Sequence, residues 1–299
     1  MDIIKISDNF EKRFCRKCEK LFFAGMPLTV LEGANQVLSA ALSVGGCAAI
    51  AGRRDGRINI QFDDNKKYIS SNVLDIDYHK EEPVLDFFLR IKERGARLCG
   101  ADIMLLYNTG IYAEYEALLL SSMYCFCKNM PAPHEIKSCL ENPARDFVST
   151  VGTRDTLLLH GERQGYIKFC DSSSKIVICR INGKNRVEKC ADKEVLYAAN
   201  LLAGGDYGAF GEAVTREYLE NIKSGGIARK TRYLFETAVR LKDAFGYGIS
   251  EDGGIFAFVE NKKVNAFIQN LKKEYETYYG ASPDFYVTRT ENSGIKKGF

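Results

Sequence analysis

The connection at Asn108, Thr109 and Gly110 is the place in this chain where a phosphate group could bind. An apolar strand is predicted over 101–107, and a helix is predicted to begin near Tyr112. A strand, a short loop and a helix therefore follow one another. A helix N-terminus offers unpaired N–H groups and the positive end of the helix dipole, and both favour anions.

Two features of this connection oppose phosphate binding. The link between strand and helix is short, which is ordinary for such a connection but too tight to surround a triphosphate with backbone amides. Glu114 and Glu116 fall in the first helical turn, where their charges neutralise the dipole. The residues favour a well-capped structural helix over a working phosphate site.

The other residues that could do chemistry are isolated. Cys15 and Cys18 form a C-x-x-C pair, but no second pair or histidine follows at zinc spacing, so we predict no metal site. His79, His134 and His160 stand apart and are expected to be surface or satisfied polar residues. The 10 cysteines are scattered through apparent strands and helices, as is typical of free thiols in a reducing, cytoplasmic compartment.

Composition limits the class of protein. The 299 residues are 45% hydrophobic and 27% charged, a balance typical of globular domains. A net charge of +3 is too weak to indicate nucleic-acid binding, and no apolar run reaches the ~18 residues of a membrane span. The expected partner is a small molecule, and the oligomeric state stays open.

Helix-like and strand-like segments alternate irregularly, which predicts an α+β fold. Interruptions near residues 141–152 suggest an N-terminal domain over 1–148 and a C-terminal domain over 149–299, with the last residues either in the second domain or returning to the first. The individual elements include a basic amphipathic helix over 9–20, an Asp-Gly hairpin turn over 53–57, and a final strand, helix and strand over 255–260, 263–279 and 284–290.

The order of five stretches resembles a galactokinase of the GHMP small-molecule kinase superfamily, over nearly the whole chain. They are Val37–Leu42 with the glycine and strand that follow, Gly100–Ile103, Gly152–Thr156, Leu202–Gly211 and Phe245–Thr290. The resemblance implies an N-terminal domain like a ribosomal-protein fold and a ferredoxin-like C-terminal domain. It also implies ATP and magnesium as cofactors, and transfer of the γ-phosphoryl group of ATP to the anomeric hydroxyl of galactose.

The resemblance assigns roles to particular positions. Asp155 matches the catalytic aspartate, although a helix N-cap or turn residue is an equal reading of it. The remaining contacts fall on Asn108, Thr109, Gly110, Gly253 and Gly254 for the nucleotide, and on Glu32 and Gly183 for the sugar.

The chain departs from the resemblance where the ligands would bind. The sugar signature, a charged run that follows an arginine, falls on the mostly apolar Met26–Glu32, and Phe22 takes about the place of the arginine. The sugar-contacting tyrosine falls on Gly183. Both glycine-containing phosphate loops are shortened and acidic, with Glu114 in one and Glu251 in the other.

These departures predict a galactokinase-like protein that has lost phosphoryl transfer and has a binding or regulatory role. One alternative is an active ATP-dependent kinase of galactose or of another small molecule, with ATP and magnesium bound. Another is an unrelated α+β protein. The residues do not name the sugar or nucleotide that a non-catalytic form would bind.

Overall fold

The computed structural model describes residues 3–62, 67–75, 83–107, 156–169, 173–251 and 253–290. The chain forms two compact units, and each unit draws on more than one stretch of sequence. The first consists of Met1–Pro27, Val44–Gly152 and Asn292–Phe299, and the second of Leu28–Ser43 and Thr153–Glu291.

The sheet of the first unit is built around a long hairpin and a buried central strand. Its strands are β3 (Arg57–Phe62), β4 (Tyr68–Asn72) and β5 (Gly100–Tyr107), together with the part of β1 (Lys20–Glu32) before Leu28 and the part of β2 (Gln36–Arg53) from Val44 onward. β5 lies between β2 and β3, antiparallel to β2 and parallel to β3, and β4 lies beyond β3. The predicted strand over 101–107 is therefore confirmed as β5. The helices described in this unit are α1 (Ile3–Phe14) and α2 (Pro83–Glu93).

Small side chains on the sheet allow α1 to pack closely. Ile6 and Phe10 lie one turn apart on α1 and are fully buried. They belong to one core cluster with alternate residues of β2 and β5, namely Cys47, Ala49, Ala51, Met104 and Leu106. The alternation follows from the two-residue period of a strand, which sends every second side chain to the same face.

A carboxylate is buried in the same unit. Asp102 of β5 is 0% exposed, and its oxygens accept hydrogen bonds from Arg53 Nη1 at 3.0 Å and Asn59 Nδ2 at 2.7 Å. Arg16 Nη1 lies 3.6 Å away, just beyond the end of α1. A charge at this depth requires such partners, and the network fixes the chain after α1 to the sheet.

Two predictions about this unit are wrong. The helix predicted over 9–20 spans Ile3–Phe14, because Cys15 adopts a left-handed conformation with φ of 53° and ends it. The predicted Asp-Gly hairpin joins β2 and β3, which are not paired, since β5 lies between them. Asp55 accepts hydrogen bonds from Arg53 and from the Arg57 amide, so local chemistry fixes the turn without fixing strand pairing.

The second unit contains a four-stranded antiparallel sheet. Its strands β8 (Ser174–Arg180), β9 (Gly246–Ile249), β10 (Ile255–Glu260) and β11 (Asp284–Thr288) lie in the order β11-β8-β10-β9. Numbered along the chain, this order is 4-1-3-2, which is the ferredoxin-like arrangement. The helices are α3 (Asp192–Ala203), α4 (Tyr207–Ser224), α5 (Arg229–Leu241) and α6 (Val264–Tyr279). Two further strands, β6 (Thr156–Gly161) and β7 (Gly165–Lys168), continue from the start of β2.

The predicted α+β fold is confirmed. The final strand, helix and strand are found as β10, α6 and β11, and Gly280 ends α6 with φ of 66°. The spacing predicts an apolar stripe of Val264, Phe267, Ile268, Leu271, Tyr275 and Tyr278 on α6. Val264, Phe267, Leu271 and Tyr275 are buried, whereas Tyr278 is 56% exposed. In the part of the chain that the structure describes, no helix is long and apolar enough to cross a membrane.

Candidate functional site

Four predicted ligand contacts, Glu32, Gly183, Gly253 and Gly254, lie among the described residues, and all belong to the second unit. The predicted catalytic Asp155 and the predicted phosphate contacts Asn108, Thr109 and Gly110 lie outside the described residues. The helix predicted to carry Glu114 and Glu116 lies outside them as well. The predicted ligand contacts that the structure describes therefore all lie in the second unit.

Glu32 ends β1 and is held by the chain that leads into α3. Its Oε1 lies 2.6 Å from Nζ of Lys189, and its backbone oxygen accepts a hydrogen bond of 2.9 Å from the Cys190 amide. The Glu32 side chain is 22% exposed. The carboxylate predicted to bind a sugar thus already has a cationic partner within the protein.

The strand before Glu32 is committed to the hydrophobic core. Leu28, Val30 and Leu31 are each 5% exposed or less. The Val30 carbonyl accepts a hydrogen bond of 3.1 Å from Tyr218 Oη, so the backbone at this point is also satisfied internally. In the first unit, Phe22 at the expected place of the arginine is 2% exposed. Apolar side chains cannot pair with sugar hydroxyls, which are costly to leave unpaired.

The β1–β2 turn encloses a carboxylate from α3. Asp192 accepts hydrogen bonds from the Asn35 amide at 2.9 Å, the Asn35 side chain at 3.0 Å and the Gln36 amide at 3.1 Å. The Asn35 backbone bond, with the other bonds from the turn, holds the pKa of Asp192 below its usual range. Converging backbone amides form an anion site, and here the anion is supplied by the chain itself.

Gly253 and Gly254 lie in the connection between β9 and β10, which we call the glycine turn (Ser250, Glu251, Gly253 and Gly254). The Ser250 amide donates to the Gly254 carbonyl at 3.1 Å, and the Gly253 amide donates to the Ser250 carbonyl at 3.3 Å. These two N–H groups are used inside the turn. A phosphate-binding turn needs its amides directed at the ligand.

The glycine turn also lies directly against backbone carbonyls. Gly253 and Gly254 have φ of 94° and 103°, a region that favours glycine. A Cβ atom on Gly253 would lie 2.5 Å from the carbonyl oxygens of Ile181 and Gly183, and one on Gly254 would collide with the carbonyl oxygen of Cys179. Glycine is required here by close backbone approach. The carbonyl oxygens that lie against the turn carry a negative partial charge, which repels a phosphate.

Gly183 lies in the chain that follows β8. Its φ is 153°, and no atom lies within 4 Å of the position that a Cβ would take. Space for a side chain is therefore available, but this chain has no ring there to contact a sugar. Asn185, two residues further along the chain, does make contacts, and it joins three segments of the second unit.

The surroundings of the chain before α3 are rich in acids. Burial raises the pKa of the Cys190 thiol to about 12, and the charge of Glu217 contributes to this shift. Burial raises the pKa of Glu217, and the charge of Glu194 adds to this shift. Arg216, which lies 3.5 Å from Glu194 and 3.7 Å from Glu217, opposes the shift without cancelling it. Within the described ranges no three or more His, Cys, Asp or Glu side chains are placed to hold a metal ion.

Comparison with solved structures identifies the fold. The galactokinase of Lactococcus lactis, solved with galactose, superposes with a TM-score of 0.85 at 14% identity, covering 99% of this chain and 100% of that one. The fold is that of the galactokinases. The mevalonate kinase of Methanococcus jannaschii matches at a TM-score of 0.63 and 12% identity, over 91% of this chain and 98% of that one.

The mevalonate-3-kinase of Thermoplasma acidophilum, solved with mevalonate 3-phosphate and ADP, matches at a TM-score of 0.62 and 12% identity, over 94% and 99% of the two chains. Sequence comparison gives no match to a protein-family model and none to a curated protein. The galactokinase-like, two-domain fold implied by the resemblance is confirmed. Identities this low support the fold and leave the activity to experiment.

Two residues of the site were missed by the sequence analysis. Asp192 is the first residue of α3, where an aspartate ordinarily stabilises its own helix through the helix dipole. Its sequence position therefore does not indicate a contact with a distant turn. Asn185 stands in a polar connection with no periodic pattern. Their roles depend on contacts between residues far apart in the chain, and the sequence carries no signal for those contacts.

Proposed function

We propose that this chain is a galactokinase-like protein that has lost phosphoryl transfer and serves as a binding or regulatory protein for a small molecule. The observation that carries the proposal is the glycine turn, where the Ser250 and Gly253 amides bond within the turn and the Gly183 carbonyl lies against it. Phosphoryl transfer depends on positive groups and amides directed at the transferring phosphate. The described part of the glycine turn has two amides bonded internally and a carbonyl oxygen against it, which is the opposite of what a phosphate requires.

The described part of the glycine turn supports a loss of ATP and magnesium binding. Two of its amides bond within the turn, and Glu251, one of its residues, is exposed and adds an acidic side chain there. Nucleotide contacts at Asn108, Thr109 and Gly110 stay a prediction. Asp155 keeps its predicted catalytic role only under the alternative of an active kinase.

The stretch that corresponds to the sugar signature also offers few polar groups to galactose. Leu28, Val30 and Leu31 are buried, and Glu32 is paired with Lys189. A carbohydrate or nucleotide ligand is still the class that the fold favours, because relatives in structure bind galactose or ADP. The free thiols of Cys179 and Cys190 agree with the proposed cytoplasmic location.

Two measurements on the purified protein test this function. ADP release is followed with ATP, magnesium and galactose, and then with a panel of other small sugars and mevalonate. We expect release no faster than the background. ADP release above the background that disappears in Asp155→Asn would establish the active kinase instead, provided that the variant has the same unfolding temperature.

Thermal unfolding then separates a binding protein from an inert one. A ligand at 100 times its dissociation constant adds about 2.7 kcal/mol of stability, which is an easily measured shift. We expect a shift with a small carbohydrate and none with ATP and magnesium. The binding role is rejected if no member of the sugar panel produces a concentration-dependent shift.

A further inference from the structure

Asn185 contacts two segments that are distant in sequence. Its Nδ2 donates to the Ser250 carbonyl at 2.7 Å, and its Oδ1 accepts from the Ala228 amide at 3.2 Å. Its own backbone amide donates to the Glu251 carbonyl at 2.9 Å. Asn185 as a whole is only 8% exposed, so water does not compete freely for these bonds.

The chemistry of the carboxamide fixes its orientation. Nδ2 faces a carbonyl, which can only accept, and Oδ1 faces a backbone N–H, which can only donate. Rotating the amide by half a turn would place oxygen against oxygen and N–H against N–H. Both ends of the side chain are therefore used, and neither an ionised nor an apolar side chain of similar size offers a donor and an acceptor in this arrangement.

One of these bonds controls a peptide plane of the glycine turn. The Ser250 carbonyl and the Glu251 N–H belong to one planar trans peptide, so they point in opposite directions. The bond from Asn185 to the Ser250 carbonyl thus also sets the direction of the Glu251 N–H. The Gly253 amide donates to the same carbonyl, so its position depends on the same plane.

The other bond holds the beginning of α5. Ala228 is the N-cap of α5 and has no side chain that could cap the helix. The adjacent Arg186 amide donates to the Gly226 carbonyl at 3.1 Å, so residues 185–186 follow the segment just before α5. The glycine turn and the beginning of α5 are consequently joined through one side chain.

We propose that Asn185 is the positioning residue of the glycine turn and that it couples the turn to the start of α5. Its donor fixes the Ser250–Glu251 peptide, and its acceptor holds Ala228. Any ligand group received at Gly253 and Gly254 would meet a turn whose shape this side chain sets. The inference holds whether or not the protein transfers phosphate.

Amide hydrogen exchange on the full chain tests the coupling. In Asn185→Ala we expect the amides of Ser250, Gly253 and Ala228 to exchange about tenfold faster, with the amides of β10 unchanged. The matched control is Asn221→Ala, which removes another asparagine that accepts from one amide, that of Glu188, and donates to one carbonyl, that of Glu217. Unchanged exchange at Ser250 in Asn185→Ala overturns the proposal.

Asn185→Asp separates the two halves of the side chain. An ionised aspartate still accepts from Ala228 but cannot donate to Ser250, so at pH 7 only the turn should exchange faster. Below about pH 4 the protonated carboxyl regains an O–H donor, and the excess over wild type should shrink. Equal acceleration at Ala228 and Ser250, or no recovery in acid, would show that Asn185 only fills space.

Discussion

At the scale of single residues, the contact with the clearest consequence is Asp192 in the β1–β2 turn. Its folded pKa is held below the unfolded value by hydrogen bonds from the turn. The stabilisation is present above the unfolded pKa of about 3.9 and is lost as the pH falls through the lower, folded value. Asp192→Asn should therefore lower the free energy of unfolding at pH 7, by an amount that disappears in acid.

Urea unfolding at pH 7, 5, 4 and 3 measures this difference. The control is Asp8→Asn, which neutralises an exposed aspartate on α1 and should leave the free energy of unfolding nearly unchanged at each pH. An Asp192→Asn effect that stays constant from pH 7 to pH 3 would mean that the charge is not what the turn amides stabilise.

At the scale of elements, the glycine turn is predicted to be a structural requirement. Gly254→Ala places a methyl group against the Cys179 carbonyl at a φ of 103°, whereas Gly205→Ala meets nothing within 4 Å at a φ of 80°. The left-handed backbone alone costs about 1–2 kcal/mol. We expect the free energy of unfolding to fall by that amount in Gly205→Ala and by clearly more in Gly254→Ala, as measured by urea unfolding.

The comparison of the two glycines also tests what the turn is for. If Gly254→Ala unfolds at the same urea concentration as Gly205→Ala, the close approach of the Cys179 carbonyl is not maintained in solution. The turn would then be free to open toward a ligand, and the argument against a phosphate there would lose its basis.

The elements that could be predicted are those whose signal is local. The final helix, predicted over 263–279, lies within one segment, and it was found as α6. The connection at Asp55 and Gly56 was misread because the turn residues specify a chain reversal but not which strand lies alongside. The insertion of β5 between β2 and β3 is a property of the sheet, decided by strands some forty residues apart.

At the scale of the whole molecule, the order of motifs predicted the fold, but the chemistry of the site depended on contacts across the chain. A sequence shows that Leu28, Val30 and Leu31 are apolar, and this is enough to predict that sugar contacts are missing. It does not show that Lys189 pairs with Glu32 or that Asp192 occupies the β1–β2 turn. Those pairs join residues more than 150 positions apart.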